Sequence, residues 1–331
     1  MKIRIITNQV ASGWKATDLN TFLGGSEECV VLLAEALVRY GFSVVVYHSM
    51  PEGQDNSYDC NGVKYEDLKK GTTGKGEVLI TFKNVLPWLA GESDPEVKIH
   101  WSSDVERPWN CSALDYFVNL TEYHQLQNMF VSTEMSVVIP HGIDMKSFKF
   151  KNPPRISNHI LYCSSPDRGL VTLLDNWKEI NSYGEEGNKY HLNVAYGFKN
   201  IRSMHPSAVA LENHIKHLCE TLEDISFLGQ LTRQQINEEY YRNQYWCLPL
   251  NNPMSELFCL NAVKASYCGC IPIVNRIGAL SETVSDHIPY NKFVQGSAEI
   301  EFRKNVVPVY SWDLVVSKFW VPMFEKKLNK I

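Results

Sequence analysis

The feature that most constrains the fold is an alternation of short β-branched runs with amphipathic segments, repeated along both halves of the chain. The first run, Ile3–Thr7, is followed by apolar residues at helical spacing from Val30 to Leu37, and then by the run SVVVYH. A buried strand, a helix and a second buried strand form the building block of a doubly wound parallel sheet. The pattern therefore predicts an α/β protein.

The alternation divides the chain into two domains. In the first half, five or six strands are expected, and after SVVVYH they fall on Glu77–Phe82, Val97–Trp101, Tyr116–Leu120 and Ser136–Pro140. The polar, Pro-containing segment Lys149–Arg155 reads as a linker, after which the alternation restarts. We predict Rossmann-like domains over 1–150 and 151–310 that face a cleft, with an amphipathic C-terminal helix over 311–331 packing back on the first domain.

Charge and composition exclude several functional classes. The hydrophobic content of 44% is ordinary for a globular protein. Residues 1–150 carry 13 Lys and Arg against 19 Asp and Glu, whereas residues 151–331 carry 19 against 18. Neither half is basic enough to favour binding to nucleic acid. The nine cysteines contain no Cys-x-x-Cys pair, so we expect free buried thiols in a reducing compartment.

Targeting patterns are absent from the sequence. No charged segment followed by a long apolar one opens the chain, and no run of 18 apolar residues occurs. We therefore expect no transmembrane segment and a cytoplasmic location. Peripheral membrane contact is not indicated, and the acidic first half argues weakly against it.

Common nucleotide and metal motifs are also missing. No Gly-x-Gly-x-x-Gly follows the first strand, and neither a Walker loop nor an Asp-x-Asp pair is present. We accordingly expect no cofactor and no metal. Gly24-Gly25 precedes a helix, for which Ser26 could serve as the cap. The two glycines are either a tight turn or a place where backbone N–H groups approach an anion.

The most informative stretch is 247–284, in which Glu256 stands just before a helix expected to begin near Leu257. A helix N-terminus carries about +0.5 charge and suits a phosphate, and a neighbouring carboxylate can accept hydrogen bonds from sugar hydroxyls. Its position alone favours the simpler interpretation, that Glu256 is an ordinary acid at a helix start. The amides expected to be unpaired are those of Leu257, Phe258, Cys259 and Leu260.

This stretch resembles the large retaining family of GT-B glycosyltransferases, the glycosyltransferase group 1 or family 4 type. That family carries the pattern Glu-x-Phe-Gly/Cys-x-x-x-x-Glu-Ala-x-x-x-Gly-x-Pro-Val/Ile. The matching positions here are Glu256, Phe258, Cys259, Lys264, Ala265, Gly269, Pro272 and Ile273. The loop Gly278–Val284 is similar to the family's Gly-Gly/Ala-Leu-Pro-Glu-x-Val.

Four further segments resemble the family in the same order. They are GGSEECVVLLAEALVRYGFSVVVY, VVIPHGIDMKSF, LYCSSPDRGLVTLLDNW and FLGQLTRQQINEEYY. The third is similar to the Ser-Ser-Pro-Asp-Arg-Gly-Leu subgroup signature. The resemblance extends from about residue 20 to residue 285, and it implies the GT-B fold with a nucleotide-sugar site in the C-terminal half.

The resemblance also implies roles for individual residues. Arg168 takes the place of the Lys or Arg that neutralises the donor diphosphate, and its forked guanidinium suits phosphate. Gly24 and Gly25 would let the first-domain loop approach the same diphosphate. Glu256 and the amides after it would bind sugar hydroxyls and the β-phosphate. Residues bordering the nucleotide base would be Gly229, Gln230 and Leu231.

The sequence departs from the family at three places. The second acid of the Glu-to-Glu pair is Lys264, and the Gly-Arg before the phosphate-binding cation is Tyr162-Cys163. The first-domain His-Asp, which usually lines the sugar and acceptor, is Ser103-Asp104. Lys264 could donate to a phosphate, donate to a hydroxyl oxygen, or extend into solvent.

The resulting hypothesis is metal-independent glycosyl transfer from a nucleotide diphosphate sugar to a glycan or other hydroxyl acceptor, with retention of configuration. Catalytic residues would be Arg168, Glu256 and Asp104. Arg168 is not expected to have a core role, so its removal should leave the melting temperature nearly unchanged. The alternatives are a degenerate, non-catalytic nucleotide-sugar or glycan-binding subunit, and a GT-B sugar epimerase. The sequence does not identify the sugar, the base or the acceptor. Acceptor contacts are expected in the loops Asn8–Thr21 and Asp104–Ser112.

Overall fold

A computed structural model describes residues 1–7, 13–53, 56–70, 72, 76–91, 95–183, 189–198, 208–252, 256–303 and 307–328. Part of the expected acceptor loop, residues 8–12, and the last three residues of the expected C-terminal helix lie outside them. The chain forms two compact units. The first unit is Met1–Asp144 with Tyr310–Ile331, and the second is Met145–Val309.

The boundary between the units precedes the expected linker. The prediction placed the change after residue 150, whereas the second unit begins at Met145. Met145–Phe148 forms a 3₁₀ helix whose side chains belong to the second unit. The Asn237 amide donates to the Ser147 carbonyl at 3.1 Å, and the Phe148 ring packs on Tyr241 and Tyr267. These contacts fix the segment to the second unit before the prolines are reached.

The first unit contains a sheet that has eight strands in the described part of the chain. Its order is β3-β4-β2-β1-β5-β6-β7-β8, parallel except for β3 against β4. The strand β5 is buried at all five positions, as its continuous apolar run predicts. The strands are β1 (Lys2–Thr7), β2 (Ser43–His48), β3 (Ser57–Cys60), β4 (Val63–Asp67), β5 (Val78–Phe82), β6 (Val97–Trp101), β7 (Tyr116–Asn119) and β8 (Ser136–Val138).

The expected five or six strands omitted one hairpin. Strands β3 and β4 are joined by Asn61 and Gly62, with φ values of 50° and 80°. Positive φ at both central residues is the backbone of a two-residue hairpin turn, and Asn-Gly is its preferred sequence. The hairpin adds to the sheet at β2, where β4 pairs in parallel from Val45 to His48.

Helices of the first unit cover the sheet. The longest, α1, buries eight of its 15 residues. It begins at Gly25 with Gly24 at the N-cap, so the expectation that Ser26 caps it is wrong. The helices before the unit boundary are α1 (Gly25–Arg39), α2 (Leu86–Leu89) and α3 (Glu122–Gln127), with 3₁₀ turns at Ala16–Asn20 and Leu68–Lys70.

The second unit has a parallel sheet of order β11-β10-β9-β12-β13-β14 in its described residues. Its strands are β9 (Ile156–Tyr162), β10 (His191–Val194), β11 (Ile225–Phe227), β12 (Asn243–Leu248), β13 (Ile271–Val274) and β14 (Ile288–Pro289). Its helices are α4 (Leu170–Asp175), α5 (Trp177–Ser182), α6 (Ala208–Thr221), α7 (Arg233–Arg242), α8 (Leu260–Tyr267), α9 (Leu280–Thr283) and α10 (Tyr290–Val294). This strand order is that of a dinucleotide-type doubly wound sheet.

The C-terminal segment belongs to the first unit. It runs through α11 (Trp312–Val315), a π turn (Val316–Trp320) and α12 (Val321–Leu328). The buried Trp320 ring packs edge-on against Trp101 of β6 at 5.6 Å between centroids, and Asp313 pairs with Arg39 of α1 at 2.7 Å. These contacts attach the segment to the sheet and to the first helix.

We expect Trp320→Ala to destabilise the protein by about 3–5 kcal/mol, the usual cost of truncating a fully buried aromatic side chain. The ring is completely shielded from solvent. Urea unfolding followed by tryptophan fluorescence measures the loss. Leu314→Ala, in the same segment but 46% exposed, is the matched control and should change stability little. Equal losses in the two variants would contradict the packing described.

Candidate functional site

The centre of the second sheet is a topological switch point. The chain leaves β9 towards β10 on one side and leaves β12 towards β13 on the other, although β9 and β12 are neighbours. In open α/β sheets, ligands bind beyond the carboxyl ends of strands at such a point. Arg168 follows β9 and Glu256 follows β12, so the fold places both residues at this edge.

The two loops at the switch point touch. Gly169 has a φ of 89°, and a Cβ at this position would lie 2.7 Å from the Pro249 carbonyl oxygen. Only glycine meets both requirements. Because Gly169 directly follows Arg168, this contact fixes where the Arg168 backbone lies against the loop after β12.

Arg168 and Glu256 form an ion pair. The Arg168 Nη1 atom lies 2.6 Å from Glu256 Oε2. The Glu256 side chain is 10% exposed, whereas that of Arg168 is 39% exposed. Burial raises the pKa of Glu256, and the guanidinium, the Phe258 N–H and the Cys259 thiol oppose that rise by donating to the carboxylate. The arginine therefore presents part of its fork to solvent while holding a buried acid.

The helix after Glu256 begins later than expected. It starts at Leu260 with Cys259 as its N-cap, not near Leu257. The Phe258 N–H is directed to the Glu256 carboxylate, and the Leu260 N–H donates to the Phe258 carbonyl at 3.2 Å. The expectation of four unpaired amides is thus wrong for these two. A buried carboxylate needs donors, and the nearest backbone supplies them.

The spacing of eight residues between Glu256 and Lys264 predicts that both lie on one face of a helix. Lys264 does lie on α8, but Glu256 precedes that helix, so this prediction is wrong. The Lys264 ammonium lies close enough to the buried Cys163 and Cys268 thiols to oppose the rise that burial causes in their pKa. Its charge therefore faces the region where α8 meets the loop after β9.

Two residues to which the sequence assigns no role shape the loop carrying Arg168. The Tyr162 hydroxyl donates to the carbonyls of Ser165 and Arg168, at 2.8 and 3.1 Å. The Asn261 amide, in the first turn of α8, donates to the Cys163 carbonyl at 3.1 Å and to Ser164 Oγ at 3.2 Å. Tyr162 therefore braces the loop that carries Arg168.

The loop expected to border a base follows β11. Gly229 has a φ of 67°, and Gln230 and Leu231 lead into α7, which is capped by Thr232 with Gln235. The Gln230 side chain packs over Gly197, where a Cβ would come within 2.8 Å of it. Glycine at 197 thus lets the Gln230 side chain pack directly on the loop that follows β10.

The predicted glycines of the first unit lie at a helix start. Gly24 has an extended backbone with φ of −62°, so positive φ does not require glycine here. A Cβ on it would meet only the flexible Glu27 carboxylate, at 2.3 Å. Gly24, the N-cap, has no side chain with which to cap the helix. The small residues leave room for close approach, but Glu27 and Glu28 in the first turn already place negative charge there.

Asp104 lies beyond β6 and is held through its backbone. Its carbonyl accepts hydrogen bonds from Ser102 Oγ and His124 Nε2, both at 3.0 Å. The Leu120 N–H donates to His124 Nδ1, which assigns the ring proton to Nε2, and burial lowers the pKa of His124. The neighbouring Ser103 Oγ is shielded and has no partner among the described residues.

Lys83, which the sequence did not single out, pairs with the Asp104 carboxylate at 3.2 Å. His100 is fully buried, as its strand position predicts. Its Nδ1 bonds Thr81 at 2.8 Å and its Nε2 bonds Glu106 at 2.6 Å. Burial alone would raise the pKa of Glu106, but the hydrogen bonds from His100 and Trp109 outweigh the effect of burial, so the pKa of Glu106 is lowered. The segment after β6 is therefore tied to the sheet on both sides of Asp104.

Sequence comparison finds no match for the chain among protein-family models or curated proteins. Comparison with solved structures does find matches. Sucrose-phosphate synthase from Thermosynechococcus elongatus superposes with a TM-score of 0.71 over 100% of both chains, at 13% identity. The catalytic domain of starch synthase IV from Arabidopsis thaliana, bound to ADP and acarbose, gives 0.65 over 99% of each chain, at 11% identity. HepE from Anabaena, in complex with UDP-glucose, gives 0.61 over 99% of this chain and 98% of that one, at 13% identity.

The chain has the GT-B fold. The predicted fold class is therefore confirmed. Within the described part of this GT-B chain, no helix is long and apolar enough to cross a bilayer. The same residues contain no group of three or more His, Cys, Asp and Glu side chains placed to hold a metal ion.

Proposed function

We propose that this GT-B chain is a glycosyltransferase that moves a sugar from a nucleotide diphosphate sugar to a hydroxyl acceptor. The observation that carries the proposal is the Arg168–Glu256 pair at the switch point of the second sheet, with a partly exposed guanidinium beside a buried carboxylate. The complexes of neighbouring structures with ADP and with UDP-glucose support a donor of this class.

Departure of the nucleoside diphosphate is the costly part of such a reaction. The bond from the anomeric carbon to the phosphate oxygen breaks as the bond to the acceptor oxygen forms, and the acceptor proton passes to the leaving phosphate oxygen. Arg168 stabilises the charge that develops on that phosphate. Lys264 is the second cation we assign to it, in place of the missing Gly-Arg. Glu256 accepts hydrogen bonds from sugar hydroxyls, and Asp104 serves the acceptor.

Retention of configuration and independence from metal belong to the same proposal. Both rest on the resemblance of 247–284 to the retaining GT-B family, and the second also on the missing Asp-x-Asp clamp. Transfer in chelator should proceed at the same rate as without it. The anomeric configuration of the product, followed by proton NMR, should match that of the donor. Loss of activity in chelator, or an inverted product, would refute the respective part.

Binding is tested by a thermal-shift screen over UDP-, GDP-, ADP-, dTDP- and CMP-sugars. A ligand at 100 times its Kd stabilises the folded state by about 2.7 kcal/mol, which a melting curve resolves readily. We expect one base class to raise the melting temperature of the wild type. Arg168→Met, as the matched variant, should show a much smaller shift at equal concentration. No shift with any nucleotide sugar would contradict the proposal.

A further inference from the structure

The backbone at Lys83 is unusual for its residue type. Its φ is 58°, in the left-handed region. The other non-glycine residues with positive φ in the described chain are Asn61, Asn158 and Asp224. Asn and Asp tolerate this conformation because their short side chains bond locally, whereas lysine gains no such relief. Strained residues of this kind persist where the surroundings fix them, and they concentrate at ligand sites.

Two contacts fix Lys83 in this conformation. Its N–H donates to the Trp101 carbonyl at 3.3 Å, which extends the pairing of β5 with β6 by one residue. Its ammonium reaches the Asp104 carboxylate, 3.3 Å from Oδ1 and 3.2 Å from Oδ2. The side chain is only 17% exposed and passes 5.8 Å from the centre of the Phe82 ring. The left-handed backbone at Lys83 thus directs its half-buried ammonium towards the Asp104 carboxylate.

The position of the pair in the sheet is that of a ligand site. Strands β1 and β5 are neighbours from which the chain departs in opposite directions, so they flank the switch point of the first sheet. Lys83 directly follows β5, and Asp104 follows the neighbouring strand β6. The Asp104 side chain is 62% exposed, although its carbonyl is held by Ser102 and His124. Its carboxylate is therefore both fixed and open to solvent.

We propose that Lys83 is a positioning residue of the acceptor site, where its strained backbone and ammonium orient the Asp104 carboxylate to accept a hydrogen bond from a hydroxyl of the acceptor other than the reacting one. The inference rests on the proposed glycosyl transfer and adds a residue to it. Lys83 acts through Asp104 and does not itself contact the reacting atoms.

The test separates backbone strain from side-chain function. In Lys83→Gly the backbone conformation is free of strain, whereas in Lys83→Ala it is not. We expect the glycine variant to melt about 2–4 °C above the alanine variant. Both should turn over the donor found in the thermal-shift screen at least tenfold more slowly than wild type, with water and D-glucose as acceptor probes. Their thermal shifts with that donor should be unchanged, because the donor is assigned to the second unit.

A conservative variant and a double variant identify the partner. Lys83→Arg keeps the cation and should retain turnover within about threefold of wild type. In the background of Asp104→Asn, adding Lys83→Gly should cost little more, since residues that act through one another are not additive. Lys64→Ala, which breaks the exposed pair with Glu66 on the hairpin, is the matched control and should leave turnover unchanged.

The outcomes distinguish the two proposals. Normal turnover in Lys83→Gly, or additive losses with Asp104→Asn, would overturn the positioning role while leaving glycosyl transfer intact. If the melting temperature of the alanine variant equalled or exceeded that of the glycine variant, the inference that the Lys83 backbone is strained would be overturned. If the wild type bound and turned over no nucleotide sugar, the proposed function and this inference would fail together.

Discussion

Replacing Arg168 with methionine is expected to reduce donor turnover by about two orders of magnitude or more. Removing one preorganised donor that stabilises the developing charge typically costs 10²–10³-fold in rate. The methionine keeps the volume of the side chain and removes its charge. Release of nucleoside diphosphate from the donor sugar, measured at saturating donor, gives the loss. A variant within tenfold of wild type would show that Arg168 does not serve the leaving group.

The ion pair changes the stability expected for the same variant. The sequence predicts that Arg168 has no core role and that its removal leaves the melting temperature nearly unchanged. In the structure it neutralises Glu256, whose side chain is 10% exposed. Breaking a buried pair costs about 3–5 kcal/mol, and because Arg168 is 39% exposed we expect a smaller loss, roughly 1–3 kcal/mol at pH 8.

The pH dependence and a double variant separate the two effects of Arg168. Burial raises the pKa of Glu256, so the uncompensated carboxylate destabilises the folded state most at high pH. Stability should recover as the pH falls and Glu256 takes up a proton. Arg168→Met with Glu256→Gln should melt close to wild type at pH 8 and remain inactive. If the double variant were as unstable as the single one, lost packing rather than the unpaired acid would be the cause.

The first unit is expected to lose stability steeply below about pH 6.5. Burial lowers the pKa of His48 to about 4 and that of His141 to about 3, and it lowers the pKa of His124 as well. The unfolded chain binds protons at these residues near pH 6.5, whereas the folded chain does not. Stability is thus complete above pH 6.5 and is lost as the pH falls, by up to about 1.4 kcal/mol per pH unit for each histidine.

Calorimetry between pH 7.5 and pH 4.5 measures this loss. We expect the melting temperature to fall through the range, and a His141→Gln variant to show a shallower fall than wild type, although it starts from a lower value. His217→Gln, on the surface of the second unit, is the matched control and should leave the slope unchanged. A melting temperature constant from pH 7 to pH 5 would show that the three rings are not buried in the neutral form.

The sequence is sufficient to predict the repeating strands of the fold. Buried parallel strands are nearly continuous apolar runs, so β1, β2, β5, β6 and β7 could be located directly. The hairpin of β3 and β4 was missed although Asn61-Gly62 is a recognisable turn signal, because its strands are short and largely polar. The sequence predicts that the helix after Glu256 begins near Leu257, whereas it begins at Leu260. No local pattern shows that the Glu256 carboxylate is buried and accepts a hydrogen bond from the Phe258 amide.

The candidate site was only partly predictable for a related reason. Arg168 and Glu256 are 88 residues apart, and only a resemblance or a strand order can bring them together. Lys83 and Asp104 are 21 residues apart, and a left-handed lysine has no sequence signature. Tyr162 and Asn261 brace the Arg168 loop through contacts that depend on the packed structure. Residues that bind directly could therefore be proposed from sequence, whereas those that hold them in place could not.

The central claim is that the Arg168–Glu256 site of the second unit binds a nucleotide diphosphate sugar for transfer. The most direct measurement is nucleoside diphosphate release from UDP-, GDP- and ADP-sugars, compared between wild type and the Arg168→Met, Glu256→Gln double variant. The account predicts turnover of one donor class by the wild type and at least a hundredfold loss in the equally stable double variant. Binding without turnover would indicate a non-catalytic nucleotide-sugar-binding subunit, and equal turnover by both proteins would place the reaction elsewhere in the molecule.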